Sequence, residues 1–101
     1  FFEYSDFTRF HYEWVIGNFP WSQIRQFHKR AMEVSDNVIS LCLTNAIFMK
    51  ARMRDMEEAG FGIKEILFVD TPPKPWPATG FCLSANWLQK GWKGDIKISK
   101  L

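Results

Sequence analysis

The sequence predicts an α/β domain in which a mainly parallel sheet is covered by helices and closed by an antiparallel strand. Three observations carry that prediction. Residues 38–44 (VISLCLT) form a near-continuous apolar run bounded by Asp36-Asn37 and Asn45, as expected of a strand covered on both faces. Short apolar runs alternate with segments whose apolar residues recur at the helical period, the pattern of strand-helix-strand units. Finally, the stretch 70–80 (DTPPKPWPATG) holds four of the five prolines, which keep it out of regular structure ahead of a last strand. At 101 residues the chain makes one small domain, and its 47% hydrophobic content, with ten Phe and five Trp, is that of a packed protein. The formal net charge of +2 permits a nucleic-acid partner without arguing for one.

In order, residues 13–17 (EWVIG) read as a short buried strand. Residues 22–34 follow as a helix with Ile24, Phe27, His28, Ala31 and Val34 on one face and Ser22 as its N-cap. The run 38–44 is the second strand. A second helix, about 46–59, turns Ala46, Met49, Met53 and Met56 inward and ends at Gly60. Residues 63–69 (IKEILFV) are the third strand. Residues 81–89 (FCLSANWLQ) are the last strong strand and the antiparallel one, before a turn at Lys90-Gly91 and a weaker extended stretch from Asp95 to Ser99.

Cys42 and Cys82 lie inside apolar runs, away from any Cys or His at metal-ligand spacing. They read as buried thiols of a reducing, cytoplasmic compartment, with no metal site. No stretch approaches the ~20 apolar residues of a membrane helix, and no signal peptide is visible. His11 and His28 lack a Ser, Cys or Asp at catalytic spacing and fit core or helix-face roles. Arg25, Lys29, Arg30, Lys50, Arg52 and Arg54 fall on the two helices, as solvated faces or as phosphate contacts. Trp76 and Thr79-Gly80-Phe81 sit in the proline-stiffened stretch, either lining a base pocket or packing a surface loop.

The Asn18-Phe19-Pro20-Trp21 turn carries the functional signal. In open α/β sheets ligands collect outside the carboxyl ends of the strands, and this turn follows the first strand. Asn18 offers an acceptor and a donor, Pro20 fixes φ and removes a backbone donor, and Trp21 offers a flat face. A carboxamide oxygen and a backbone carbonyl beside an aromatic plate suit the exocyclic amine of a nucleobase. The competing reading is an Asn-capped turn whose Trp plugs the core.

The run YEWVIGNFPW (12–21) resembles the FD-V-I-G-N-P-P-[YFW] signature of S-adenosylmethionine-dependent N6-adenine DNA methyltransferases. SDF at 5–7, TNAIF, GFGIKEIL, PWPATGF and ANWLQKGW resemble further elements of that family, in order. The resemblance implies a partial Rossmann-like methyltransferase sheet, S-adenosylmethionine as cofactor, DNA as partner and a restriction-modification setting. It implies that Asn18 and the Phe19 carbonyl before Pro20 accept hydrogen bonds from the adenine amine and that Trp21 stacks on the flipped base. Asp6 and Phe7 would contact the cofactor's adenine end, and Trp76, Thr79, Arg25 and Lys29 the nucleic acid. Two departures shape the expectation. Phe19 replaces the first of two prolines, and no glycine-rich strand-to-helix turn precedes Asp6. The chain is therefore expected to be a fragment or degenerate relative resembling the second half of a methyltransferase catalytic domain. The base half of the site is present and the cofactor cradle absent, so the isolated chain is inactive and binds DNA weakly, with a missing N-terminal half or a homo-oligomer as partner. The alternatives are a non-enzymatic winged-helix DNA-binding module, with helix 46–59 in a groove and hairpin 81–99 as the wing, and an oligomerising remnant. Parallel pairing of 13–17 with 38–44 separates the first from the winged helix.

Overall fold

A computed structural model describes residues 11–69 and 83–100. Strand β1 (Tyr12–Gly17) leads through the Asn18–Pro20 turn and a single 3-10 turn (Trp21–Gln23) into α1 (Ile24–Val34). Strand β2 (Ser35–Leu43), the one-turn α2 (Thr44–Ile47), α3 (Lys50–Ala59) and β3 (Phe61–Val69) follow, and β4 (Leu83–Lys90) and β5 (Lys97–Lys100) complete the described elements. Together the strands form one sheet of order β1-β2-β4-β3-β5. Four of them run the same way, and β4 lies antiparallel between β2 and β3. The expected α/β architecture is present, with the antiparallel strand inserted inside the sheet. Because β1 and β2 pair in parallel from Tyr12↔Ser35 to Gly17↔Ser40, the winged-helix alternative does not hold.

Helix α1 packs on β2 and on α3, and α3 packs on β3, so both cover the same sheet face. Their apolar stripes meet alternate strand residues in one core of Phe19, Ile24, Phe27, Ala31, Met32, Val34, Val38, Cys42, Ile47, Met56, Phe61, Ile63, Ile66 and Leu88. In β3 the inward parity switches from odd (Phe61, Ile63) to even (Ile66) because Lys64 is the extra residue of a β-bulge against β4. The opposite face carries Trp14 and Ile16 of β1, Ile39 and Leu41 of β2, and Ala85 and Trp87 of β4, all at least partly exposed. Across it, the rings of Trp14 and Trp87 lie 5.3 Å apart, and the ammonium of Lys64 sits 4.3 Å from the Trp87 ring and 5.1 Å from that of Trp92.

Four local expectations are corrected. The strand at 13–17 is not buried: Glu13, Trp14 and Ile16 are exposed and Val15 and Gly17 only partly covered, because β1 lies at the edge of the described sheet. Ser22 does not cap α1: Gln23 occupies the N-cap, with no side-chain cap hydrogen bond, because the 3-10 turn carries the chain in. The segment 46–59 is two helices, broken where Met49 takes extended backbone at φ −68° and ψ 144°. Met49, at the break, and Met53, beside the inward stripe of α3, are exposed, while Met56 is buried. Gly60 ends α3 as expected, in the left-handed conformation at φ 77°. The stretch 70–80, Cys82, and the site candidates Asp6, Phe7, Trp76 and Thr79 lie outside the described residues. Among the described residues, no helix is long and apolar enough to cross a membrane.

Candidate functional site at the carboxyl end of β1

Strand β1 stops at Gly17 because Phe19 folds back over it. A Cβ at position 17 would stand 2.7 Å from Phe19 Cε1, so only glycine admits the ring so close. The Phe19 ring stacks on Phe27 of α1 at 5.3 Å between centroids and 17° between planes, and meets the His28 ring edge-on at 5.8 Å. It is 8% exposed and part of the core. With Phe19 driven inward, its neighbours face solvent: Asn18 and Pro20 are exposed, and Trp21 is 54% exposed. Pro20 sits at φ −57° and ψ 126°, and its carbonyl accepts the Gln23 amide at 3.0 Å. Among the described residues no turn hydrogen bond occupies the Phe19 carbonyl, and neither the 3-10 turn nor α1 takes a side-chain cap.

A buried polar row lies beneath this turn. His28 shares a 2.7 Å hydrogen bond through Nε2 with Ser40 Oγ. The Ser40 carbonyl accepts from Asn86 Nδ2 at 3.1 Å, Ser84 Oγ donates to Asn86 Oδ1 at 2.9 Å, and Thr44 and Ser84 share a hydroxyl bond of 2.6 Å. Ser40, Ser84 and Asn86 are fully buried, so each bond offsets the desolvation of its groups. Burial pushes the His28 imidazole down to about 4, with the Arg52 guanidinium acting in the same sense. Cys42, also buried, receives a weak 3.4 Å contact from Asn86 Nδ2, and burial raises its thiol pKa. None of these residues except His28 and Cys42 stood out in the sequence. The available signal was Ser40 at an inward position of β2 opposite the inner face of the first helix.

The nucleic-acid candidates on α1 are separated by their contacts. Arg25 donates through Nε and Nη2 to the Asp55 carboxylate of α3, at 2.9 and 3.3 Å. The hydrogen bond and the charge of Asp55 raise the Arg25 pKa, while the bond from Arg25 holds the Asp55 carboxyl below its ordinary value. Arg25 thus ties α1 to α3. Lys29 is exposed on α1, beside a shallow depression of about 360 Å³ that it lines with Gln26, Arg30 and Glu33.

Among the described residues, no glycine turn at this rim is placed to cradle the amino-acid end of a cofactor. The two glycines with left-handed φ among the described residues, Gly60 and Gly91, precede β3 and follow β4, which places them at the amino end of the parallel strands. Gly17 is filled by the Phe19 ring. The described residues therefore do not by themselves hold the amino-acid end of S-adenosylmethionine. They also contain no group of His, Cys, Asp or Glu that could hold a metal ion.

The chain matches no family profile and no curated protein. Among solved structures it is similar to the crystal structure of an M1.HpyAVI-SAM complex, at a TM-score of 0.57 and 15% sequence identity, over 95% of this chain. The matched region spans 62% of that chain's length. The fold shared with this neighbour is a methyltransferase-like α/β fold.

Proposed function

We propose that this chain is the base-recognising half of an adenine-specific DNA N6-methyltransferase site, a fragment or degenerate relative that needs a cofactor-holding half from outside these residues. One observation carries the reading. At the carboxyl end of β1, Phe19 is packed into the core while Asn18, Pro20 and Trp21 face solvent, leaving the Asn18 amide and the Phe19 carbonyl to meet a ligand. An adenine amine has two hydrogens. Asn18 Oδ1 takes one and the Phe19 carbonyl the other, and Trp21 stacks on the ring. Core packing of Phe19 gives the turn the rigidity that a second proline would give, so the substitution does not by itself loosen the acceptors. The neighbour's complex with SAM supports S-adenosylmethionine as the cofactor of the completed site, and a partner half, or a second copy of the chain, would supply its cradle.

The test is a comparison of oligonucleotides that carry adenine with ones in which purine, lacking the exocyclic amine, replaces it. Adenine should bind more tightly, and Asn18→Ala should shrink the difference to what the Phe19 carbonyl alone supplies, because an amide built to receive an amine is left unpaired by its absence. Equal affinity for adenine and purine in the unsubstituted chain defeats the reading. In calorimetry the chain alone should show no micromolar affinity for S-adenosylmethionine.

A further inference from the structure

We propose that the corner Phe48-Met49, between α2 and α3, is an apolar wedge that inserts among the bases of the DNA strand presented to the Asn18 turn. This rests on the function proposed above, because it takes DNA to lie at the carboxyl rim of the sheet. The position follows from topology. Gly17 at the end of β1 is level with Ser40, and β2 continues in the same direction to Leu43. At about 3.3 Å per residue the second strand therefore ends about 10 Å beyond the end of the first, and the one-turn α2 that precedes the corner starts from there.

The corner is held from both sides. Ile47, 1% exposed, anchors its inner side in the core, the Phe48 amide donates to the Asn45 carbonyl at 3.2 Å, and Thr44 bonds Ser84 across to β4. With these fixed, two consecutive large apolar residues stand outward, Phe48 46% and Met49 51% exposed. Single exposed apolar side chains are ordinary, but an adjacent pair at the apex of an anchored turn is a presented surface.

Charge selects the occupant. Exposed Lys50 and Arg54 follow the pair, α3 has no acidic residue in its first turn, and its first carboxylate, Asp55, is bound by Arg25. An apolar tip backed by cations complements a polyanion with stacked apolar faces. Phe and Met are among the side chains that wedge between base steps while neighbouring cations hold phosphates.

The experiment titrates the full chain and its variants into adenine-containing duplex and single-stranded DNA bearing 2-aminopurine, whose fluorescence rises on unstacking. The unsubstituted chain should raise that fluorescence. Phe48→Ala with Met49→Ala should weaken binding at least ~5-fold and abolish the rise, without changing the slope of log affinity against log salt, since apolar contacts release no counterions. Lys50→Gln with Arg54→Gln should instead lower that slope on duplex DNA by about 2. Phe48→Leu should keep most of the fluorescence rise, and a native circular dichroism spectrum in each variant shows that the fold is intact. Affinity unchanged in the Phe48/Met49 variant, no DNA binding by the unsubstituted chain, or corner-dependent binding to anionic lipid vesicles in place of DNA overturns the proposal. Trp21→Ala separates the two ideas. If it abolishes binding while the corner variant does not, the wedge fails and the base site stands; the reverse pattern retains the corner as a DNA contact and removes the base site.

Discussion

Neighbouring residues of β2 look onto unlike surroundings. Ser40 and Cys42 point toward the helices and are wholly buried in a row where the polar groups find partners, whereas Ile39 and Leu41 point to the other face, among Trp14, Ile16 and Trp87, and are only partly covered. A sheet whose strands run mostly in parallel ordinarily has both faces covered. Here the described helices close one face and leave the other with Trp14 40% and Ile16 70% exposed. Folding free energy is therefore concentrated on the helix side, which also pins the Asn18 turn through Phe19. The open side keeps apolar surface that the described helices leave uncovered.

The largest expected effect lies on the closed side. Phe19→Ala removes a buried ring stacked on Phe27 and should cost about 3–5 kcal/mol, a large share of the roughly 5–15 kcal/mol of a domain this size. Chemical denaturation measures it. A loss below ~1 kcal/mol would mean that the ring is not packed in solution and that the turn has no anchor.

The same face should carry the pH dependence. The unfolded chain takes a proton on His28 near 6.5, while the folded protein, with the ring buried, resists until about 4. Between those values the unfolded state holds more protons, so stability falls as pH falls from 6.5 to about 4, by roughly 3 kcal/mol at most. Above 6.5 the ring is neutral in both states and contributes no slope. Urea midpoints across this range should drift down in the parent chain, and His28→Gln should flatten that part of the curve.

The sequence made the alternation of elements legible because β2 is long and apolar and α1 keeps the helical period from Ile24 to Val34. It also located Asn18 and Trp21 after a strand. Phe19 was harder to read: in a slot where a related signature holds proline, a phenylalanine signals lost rigidity, and only the packing of its ring on Phe27 and against Gly17 reveals an anchor. The position of β4 between β2 and β3 depends on long-range pairing that order along the chain does not encode. Ser40, Ser84 and Asn86 escaped notice because each is a single polar residue within an apolar run, and the partners that make such residues tolerable lie on other elements. Met49 departs from the helical period because the helix breaks at that residue, which a continuous period from Ala46 to Met56 does not reveal.

The smallest effect is the sharpest check on the contrast between the faces. Val38 and Ile16 are both β-branched strand residues, so a change to Thr preserves backbone preference at each and isolates the surroundings. At Val38, 0% exposed, the new hydroxyl would be buried in the apolar core, costing about 1–3 kcal/mol. At Ile16, 70% exposed, the hydroxyl stays in water and little apolar area is lost, so the cost should stay within ~0.5 kcal/mol. Unfolding of the two variants at one protein concentration gives the ratio. If Ile16→Thr costs as much as Val38→Thr, the face bearing Trp14 and Ile16 is covered in solution. Repeating the measurement over a range of concentrations then identifies the cover, because self-association makes the Ile16 penalty grow with concentration while a segment of the same chain leaves it constant.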